Sequence, residues 1–151
     1  MRVGSILNLY IAPEGTKGIR EEQNSLNLKK DYGIRGDKFA NRELHKSVMI
    51  VGTKPYNMAK DKDISLPKAA LGENILLDFD PHTLNIGDIL QVGTAIIEIT
   101  EACTLCKHLT KYDSKLPKLI VKHRGIYCKI IKSGSVNRGD SVELLEQKEA
   151  S

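Results

Sequence analysis

Two stretches of this chain share one pattern, and it constrains the fold more than any other feature. Leu84-Asn85-Ile86-Gly87-Asp88-Ile89-Leu90-Gln91-Val92 runs through Gly93-Thr94 into Ala95-Ile96-Ile97-Glu98-Ile99-Thr100. The second stretch is Gly134-Ser135-Val136-Asn137-Arg138-Gly139-Asp140-Ser141-Val142-Glu143-Leu144-Leu145. Each carries Gly-Asp in a turn and follows it with an alternating strand. Gly-Asp and Gly-Thr between β-branched runs are turn signals, so the first stretch predicts a hairpin. The pair reads as a recurring barrel element.

The remaining segments fit the same class. Val3, Ser5, Leu7, Leu9 and Ile11 alternate with Gly4, Ile6, Asn8 and Tyr10, which predicts a strand with a strongly buried face. Residues 13–46 are rich in Gly, Asn, Lys, Arg and Glu, and predict a functional loop region or a partly mobile one. Residues 47–51 form a short apolar strand. Thr53 is placed to cap a helix over 54–60, with Pro55 in its first turn. Residues 61–74 read as loop and 75–79 as strand. Residues 103–113 predict a short helix, 114–124 a second helical or irregular stretch, and 126–131 a strand. The sum is one mostly-β domain over 1–146, a closed or partly open β-barrel with a few short helices. Residues 147–151 read as a frayed tail.

A length of 151 residues suits one domain with a proper core. No apolar run approaches the roughly 20 residues of a membrane helix. The opening MRVGSILNLYIAPEG reads as a strand rather than a signal peptide, so the expected location is cytoplasmic. Net charge is +4, from 23 Lys plus Arg against 19 Asp plus Glu. That mild, evenly spread excess fits an anionic small ligand or a weakly acidic partner rather than nucleic acid. Aromatic residues make up 5%, with no Trp, so base-stacking platforms are scarce. Three cysteines in a cytosolic chain are expected as thiols.

The chemistry concentrates in Cys103-Thr104-Leu105-Cys106-Lys107-His108. A thiolate is favoured beside cations and near a helix start, so Cys106 is a candidate nucleophile or soft metal ligand. The alternatives are a buried inert thiol, a zinc site completed by His108, His123 or Cys128, and a redox pair with Cys103. The basic run Arg35-Gly36-Asp37-Lys38, with Arg42, His45 and Lys46, can clamp an oxyanion or remain a solvated loop. Gly72-Glu73-Asn74 is a turn with a carboxylate and an amide. Lys122-His123-Arg124 puts cations at a strand entry, and Cys128 within the following apolar run reads as core.

Taken in order, these pieces resemble the MOSC family, the domain found at the C-terminus of molybdenum-cofactor sulfurases and as small stand-alone bacterial proteins. The resemblance runs from Gly33-Ile34-Arg35-Gly36-Asp37 through His45-Lys46-Ser47-Val48, Gly72-Glu73-Asn74-Ile75 and Ile86-Gly87-Asp88. It continues with Glu98-Ile99-Thr100, then Cys106 and Leu109, and closes with Arg124-Gly125-Ile126-Tyr127 and Gly134-Ser135-Val136 ahead of Gly139-Asp140. It implies a barrel of the pyruvate-kinase barrel-like type. It also implies one functional cysteine, matched by Cys106 with Cys103 as a second candidate, that carries sulfane sulfur as a persulfide or ligates molybdenum in a pterin cofactor. Arg35, Asp37, Lys38, Arg42, His45, Lys46, Glu73, Asn74 and Arg124 would then line the pocket for an anionic cofactor or donor.

The reading that follows is a sulfur carrier. Lys107, His108 and Arg124 would lower the Cys106 pKa, and the thiolate would take sulfur from a cysteine desulfurase or another donor and pass it to molybdenum-cofactor enzymes. Pyridoxal phosphate would belong to the partner enzyme. The alternative is a molybdopterin-binding module with Cys106 on the metal, acting in reduction of N-hydroxylated compounds. Neither a nucleic acid nor a membrane is expected as partner.

Overall fold

The computed structural model describes residues 1–149 except Ile19, Leu105 and Cys106, with the backbone alone for Lys107. In chain order the strands and helices are β1 (Arg2–Ile11), β2 (Glu21–Gln23), β3 (Ser25–Lys29), β4 (Gly33–Ile34), β5 (Val48–Gly52), α1 (Lys54–Asp61), β6 (Ile75–Leu77), β7 (Ile89–Val92), β8 (Ala95–Ala102), α2 (Leu116–Ile120), β9 (Ile126–Lys132), β10 (Gly134–Asn137) and β11 (Ser141–Glu146). Short 3-10 turns cover Leu44–Lys46, Pro81–Thr83, Lys107–Lys111 and Val121–His123.

Seven strands run in the order β11-β7-β8-β9-β5-β6-β1, and β1 pairs with β11 to close the barrel. Strand β2 adds to the far side of β1, and β10-β3-β4 form a second small sheet. Neighbours are antiparallel except β5 and β6, which run parallel and need the crossover that α1 and the loop after it supply. The mostly-β expectation is met, with two short helices.

The paired turns are built alike. In Asn85-Ile86-Gly87-Asp88 the Asp88 N–H donates to the Asn85 carbonyl at 3.0 Å, and Asp88 Oδ2 accepts the Asn85 N–H at 2.8 Å. In Asn137-Arg138-Gly139-Asp140 the corresponding distances are 3.1 and 2.7 Å. The glycines take φ of +93° and +87°, a region that a side chain disfavours. The two strands launched by these turns, β7 and β11, lie side by side. The predicted hairpin is β7–β8, joined by Gly93-Thr94.

Strand β5 explains its own unbroken apolar run. Val48 and Ile50 enter the barrel core, while Met49 and Val51 join a second cluster outside it with Ala59 of α1 and Leu116 and Ile120 of α2. A strand covered on both faces needs no polar alternation.

Four expectations change. Strand β1 does not keep one alternation. Ile6 pairs with Leu77 and Asn8 with Leu76, so Leu7 is an extra bulged residue, 38% exposed, and both Ile6 and Leu9 reach the core. Residues 13–46 are not a plain loop: they supply β2, β3 and β4, anchored by buried Leu26, Leu28 and Ile34. Thr53 precedes α1 but makes no side-chain cap; the helix is held by buried Pro55 and Ala59. The tail is tied at Lys148, whose N–H donates to Asp88 Oδ1 at 2.6 Å and whose carbonyl accepts from Asn85 Nδ2 at 2.7 Å.

Candidate functional site

The outer face of β5 and β9 carries the site. Met49 and Tyr127 are cross-strand partners on that face, so their neighbours Val48 and Cys128 point into the barrel. Two cavities, of about 280 and 390 Å³, adjoin there and share Arg20, Phe39, Met49 and Tyr127 as lining. The first is also lined by Lys38, Cys103, His108, Lys111, Tyr112 and Arg124. The second takes in Arg42, Glu43, Lys46 and Ser47, with Asp37 and Asn74 behind.

Backbone contacts explain how Cys103 and Arg124 reach the same wall. The Cys103 N–H donates to the Gly125 carbonyl at 2.9 Å, which continues the β8–β9 ladder past Ala102. Cys103 is 3% exposed, and its Sγ donates to the Tyr127 hydroxyl at 3.5 Å. Lys46 Nζ stands 5.2 Å from the centre of the Tyr127 ring. Burial, then the Cys103 contact, pushes the Tyr127 hydroxyl well above its usual pKa, so it remains a neutral phenol. The buried Arg124 guanidinium donates Nη1–H to the Leu71 carbonyl at 2.6 Å.

Arg20 is a cation of the site that motif reading missed. Its Nη1 is 3.6 Å from Asp37 Oδ1, and its guanidinium lies 5.2 Å from the Phe39 ring centre. That Nη1 is buried and makes no hydrogen bond among the described residues. Burial works against the Arg20 charge, while Asp37, Glu73 and Tyr127 work for it. Guanidinium groups stay protonated regardless, so the cavity holds a desolvated positive charge. A single Arg in a polar stretch gave no motif; its pairing with Asp37 and Phe39 exists only in three dimensions.

Three predicted residues hold the walls. Asp37 Oδ1 accepts the Ala12 N–H at 2.8 Å. Asn74 ties β5 to β1: its Oδ1 accepts the Met49 N–H at 2.9 Å and its Nδ2 donates to the Tyr10 carbonyl at 3.2 Å. Glu73 is fully buried and takes the Tyr56 hydroxyl at 2.6 and 2.9 Å on its two oxygens. Its pKa is raised by burial, against the pull of Tyr56, Arg124 and Arg20. The same Tyr56 oxygen accepts the Leu71 N–H at 3.3 Å, so Glu73 and Arg124 both brace the 69–72 turn.

Of the basic set, Lys38, Arg42 and Lys46 line the cleft. Arg35 is exposed and lines neither cavity. His45 points instead at Glu101, 3.4 Å away, and is also outside the lining. His108 lines the first cavity, with its pKa lowered by burial and then by Arg124 and Lys111. It is therefore a neutral imidazole at neutral pH, suited to take a proton rather than to supply a fixed charge. Cys106 lies outside the described residues, as does the Lys107 side chain. Cys128 is 0% exposed within the barrel, and burial pushes its thiol pKa far up. That removes it from any shared zinc set with Cys103. Among the described residues no group of three His, Cys, Asp or Glu is placed to hold a metal ion. No helix among them is long and apolar enough to cross a membrane.

The sequence places this barrel in a known family. Residues 37–143 match the model of the MOSC domain, and the chain belongs to the MOSC domain family, which is linked to the molybdenum cofactor. Among solved structures the fold is similar to YuaD from Bacillus subtilis, with TM-score 0.72 and 20% identity over 94% of this chain and 96% of that one. It is similar to YiiM from Escherichia coli, with TM-score 0.73 and 19% identity over 99% of this chain and 72% of that one. A crystal structure described only as a hypothetical protein gives TM-score 0.78 and 18% identity, over 97% and 68%. No curated protein matches the sequence.

Proposed function

We propose that this chain is a sulfur carrier in molybdenum-cofactor metabolism, with Cys106 as acceptor and Cys103 as its companion thiol. The observation that carries the reading is a thiol set into a cation-lined cavity: Cys103 with Arg20, Lys38, Lys111 and Arg124. Cys106 stands in the chain between Cys103 and His108, and both of those line the cavity. The Cys106 thiolate attacks the outer sulfur of a donor persulfide. A new S–S bond forms on Cys106, the donor's S–S bond breaks, and the donor leaves as thiolate with no net oxidation. Neutral His108 takes the thiol proton, and the surrounding cations favour the anionic sulfur. The donor is a cysteine desulfurase or a similar persulfide carrier, which keeps any pyridoxal phosphate on the partner. The acceptor is an enzyme of the molybdenum cofactor.

A second reading rests on the adjoining cavity and the Arg20 Nη1 without a hydrogen bond. The pair of cavities offers more room than one sulfur atom needs. Arg20, Lys38, Arg42 and Lys46 suit the anionic groups of a molybdopterin, with a cysteine thiolate as soft ligand. When bound, that group would supply two-electron redox chemistry for N-hydroxylated compounds.

Mass spectrometry after incubation with a cysteine desulfurase and cysteine tests the first reading. One added sulfur atom is expected on the wild type and on Cys128→Ser, and none on Cys106→Ser. Full uptake by Cys106→Ser removes Cys106 from the role. Bound molybdenum by elemental analysis, without cyanide-releasable sulfur, selects the second reading.

A further inference from the structure

The positive charge, read above as evenly spread, in fact concentrates in one segment. Residues 107–124 hold five lysines and one arginine against a single aspartate, a local charge of +5 where the whole chain carries +4. Lys111, Lys115, Lys118 and Lys122 are exposed. Their spacing of four, three and four follows the helical period along the Lys107–Lys111 turn, α2 and the Val121–His123 turn. Leu116 and Ile120, the apolar positions between them, are buried against the second cluster. None of the four lysines forms an ion pair among the described residues, whereas Lys46, Lys68, Lys129 and Lys148 each do. Like charges four apart on a helical surface repel, so folding alone does not favour the arrangement. The row is also continuous with the cleft, because Lys111 lines the first cavity.

We propose that this lysine row is the docking surface for an acidic protein that exchanges cargo with the cleft. Charge complementarity sets the sign of the partner, and continuity through Lys111 sets where its reactive group arrives. Apart from Val121, 50% exposed, the row offers no large apolar group to a membrane. It carries neither an exposed arginine nor an exposed aromatic ring for nucleic acid. The proposal rests on the cleft being the site of chemistry, and the test separates the two.

The probe is a fluorescein-labelled oligoglutamate peptide, followed by anisotropy at rising salt. The variant is Lys115→Glu with Lys118→Glu and Lys122→Glu, which leaves the cavity residue Lys111 intact. A second triple, Lys29→Glu with Lys30→Glu and Lys132→Glu, changes net charge equally at a distance from the row. The row variant should lose about tenfold or more in affinity, and the distant variant much less. Saturating peptide should slow total thiol alkylation by iodoacetamide in the wild type and not in the row variant. Equal losses in both triples overturn the proposal, as does peptide binding without that slowing. It is equally overturned if phosphatidylserine vesicles or a DNA duplex bind the row more tightly than the peptide, or if the row mediates self-association by light scattering. Sulfur uptake from inorganic polysulfide should be unchanged in the row variant. Its absence from wild type and variant alike would strike the cleft reading, while the peptide arm still decides the row.

Discussion

One imidazole nitrogen fixes the entry to β9. His82 Nε2 accepts the Gly125 N–H at 2.9 Å, and the Gly125 carbonyl accepts the Cys103 N–H at 2.9 Å. Gly125 has φ of +135°, and a Cβ there would meet Met49 Cε at 2.6 Å and Val51 Cγ2 at 2.9 Å. The residue between the barrel and the cleft wall thus has to be small, and its N–H has one acceptor. That acceptor works only while His82 is neutral at Nε2. The His82 pKa is lowered, first by burial and also by His123, with Asp80 opposing. A folded pKa below the ordinary value of 6.5 gives a contribution fully present above 6.5 and lost as pH falls through the folded pKa. Glu73 works in the opposite sense, since its raised pKa makes the native state lose stability as pH rises from 4.5. The informative measurement is therefore a difference between two proteins. His82→Gln can accept the same N–H without titrating. Its urea midpoint should fall less than that of the wild type between pH 6.5 and pH 5, taken from the ordinary histidine range. Parallel pH profiles would show that His82 does not carry the acid sensitivity.

The two Asn-x-Gly-Asp turns look equivalent in the sequence but carry different loads. Asp140 is half-buried and serves the Asn137 N–H. Asp88 is 0% exposed and serves two, the Asn85 N–H and the Lys148 N–H. Asp140→Ala should cost about 1 kcal/mol, the net worth of a single turn hydrogen bond. Asp88→Ala should cost about 2–3 kcal/mol, because it leaves two donors short of their charged acceptor and a gap beneath the turn. Equal costs in chemical denaturation would mean that the Lys148 tie contributes nothing. The same turns show what was legible. Their Gly-Asp signals, the two-residue hairpin and the apolar runs of β5 and β9 act through neighbours in the chain, and each was read in place. Strands β2, β3 and β4 were not, because three buried anchors are spread thinly over residues 13–46 and the Leu26-x-Leu28 alternation is too short to stand out; β3 forms against β10, β4 against β3 and β2 against β1. The bulge at Leu7 hid because one inserted residue leaves local alternation looking intact. The site divides the same way. Cys103, His108, Lys38, Arg42, Lys46 and Arg124 were found from cation and thiol motifs and do meet in one cleft. Arg20 was not, and Arg35 and His45 lie beside basic neighbours in the chain but turn away from the cavities.

The closure of the barrel makes the chain one cooperative object. Strand β11 lies between β7 and β1, and Ser5 and Gly4 register against Ser141 and Val142. Without β11 both β1 and β7 would present an open edge, and each would lose a row of backbone partners. Val142 is 0% exposed and belongs to the central core, so it senses both the closure and the packing. Val142→Ala removes two buried methyl groups from the core and should cost about 2 kcal/mol. If the barrel opens only as a whole, that loss will be global. Native-state hydrogen exchange should then show the same drop at amides of β1, β5, β7 and β11 alike, equal to the drop in denaturant stability. In the wild type the amides of β11 should exchange with about the free energy of those of β5, although β11 sits far along the chain. A separate, lower free energy for β11 and β1 would instead mean that the seam opens by itself. The barrel would then be a six-strand sheet with a detachable last strand rather than a closed unit, and the Val142→Ala loss would remain confined to the seam.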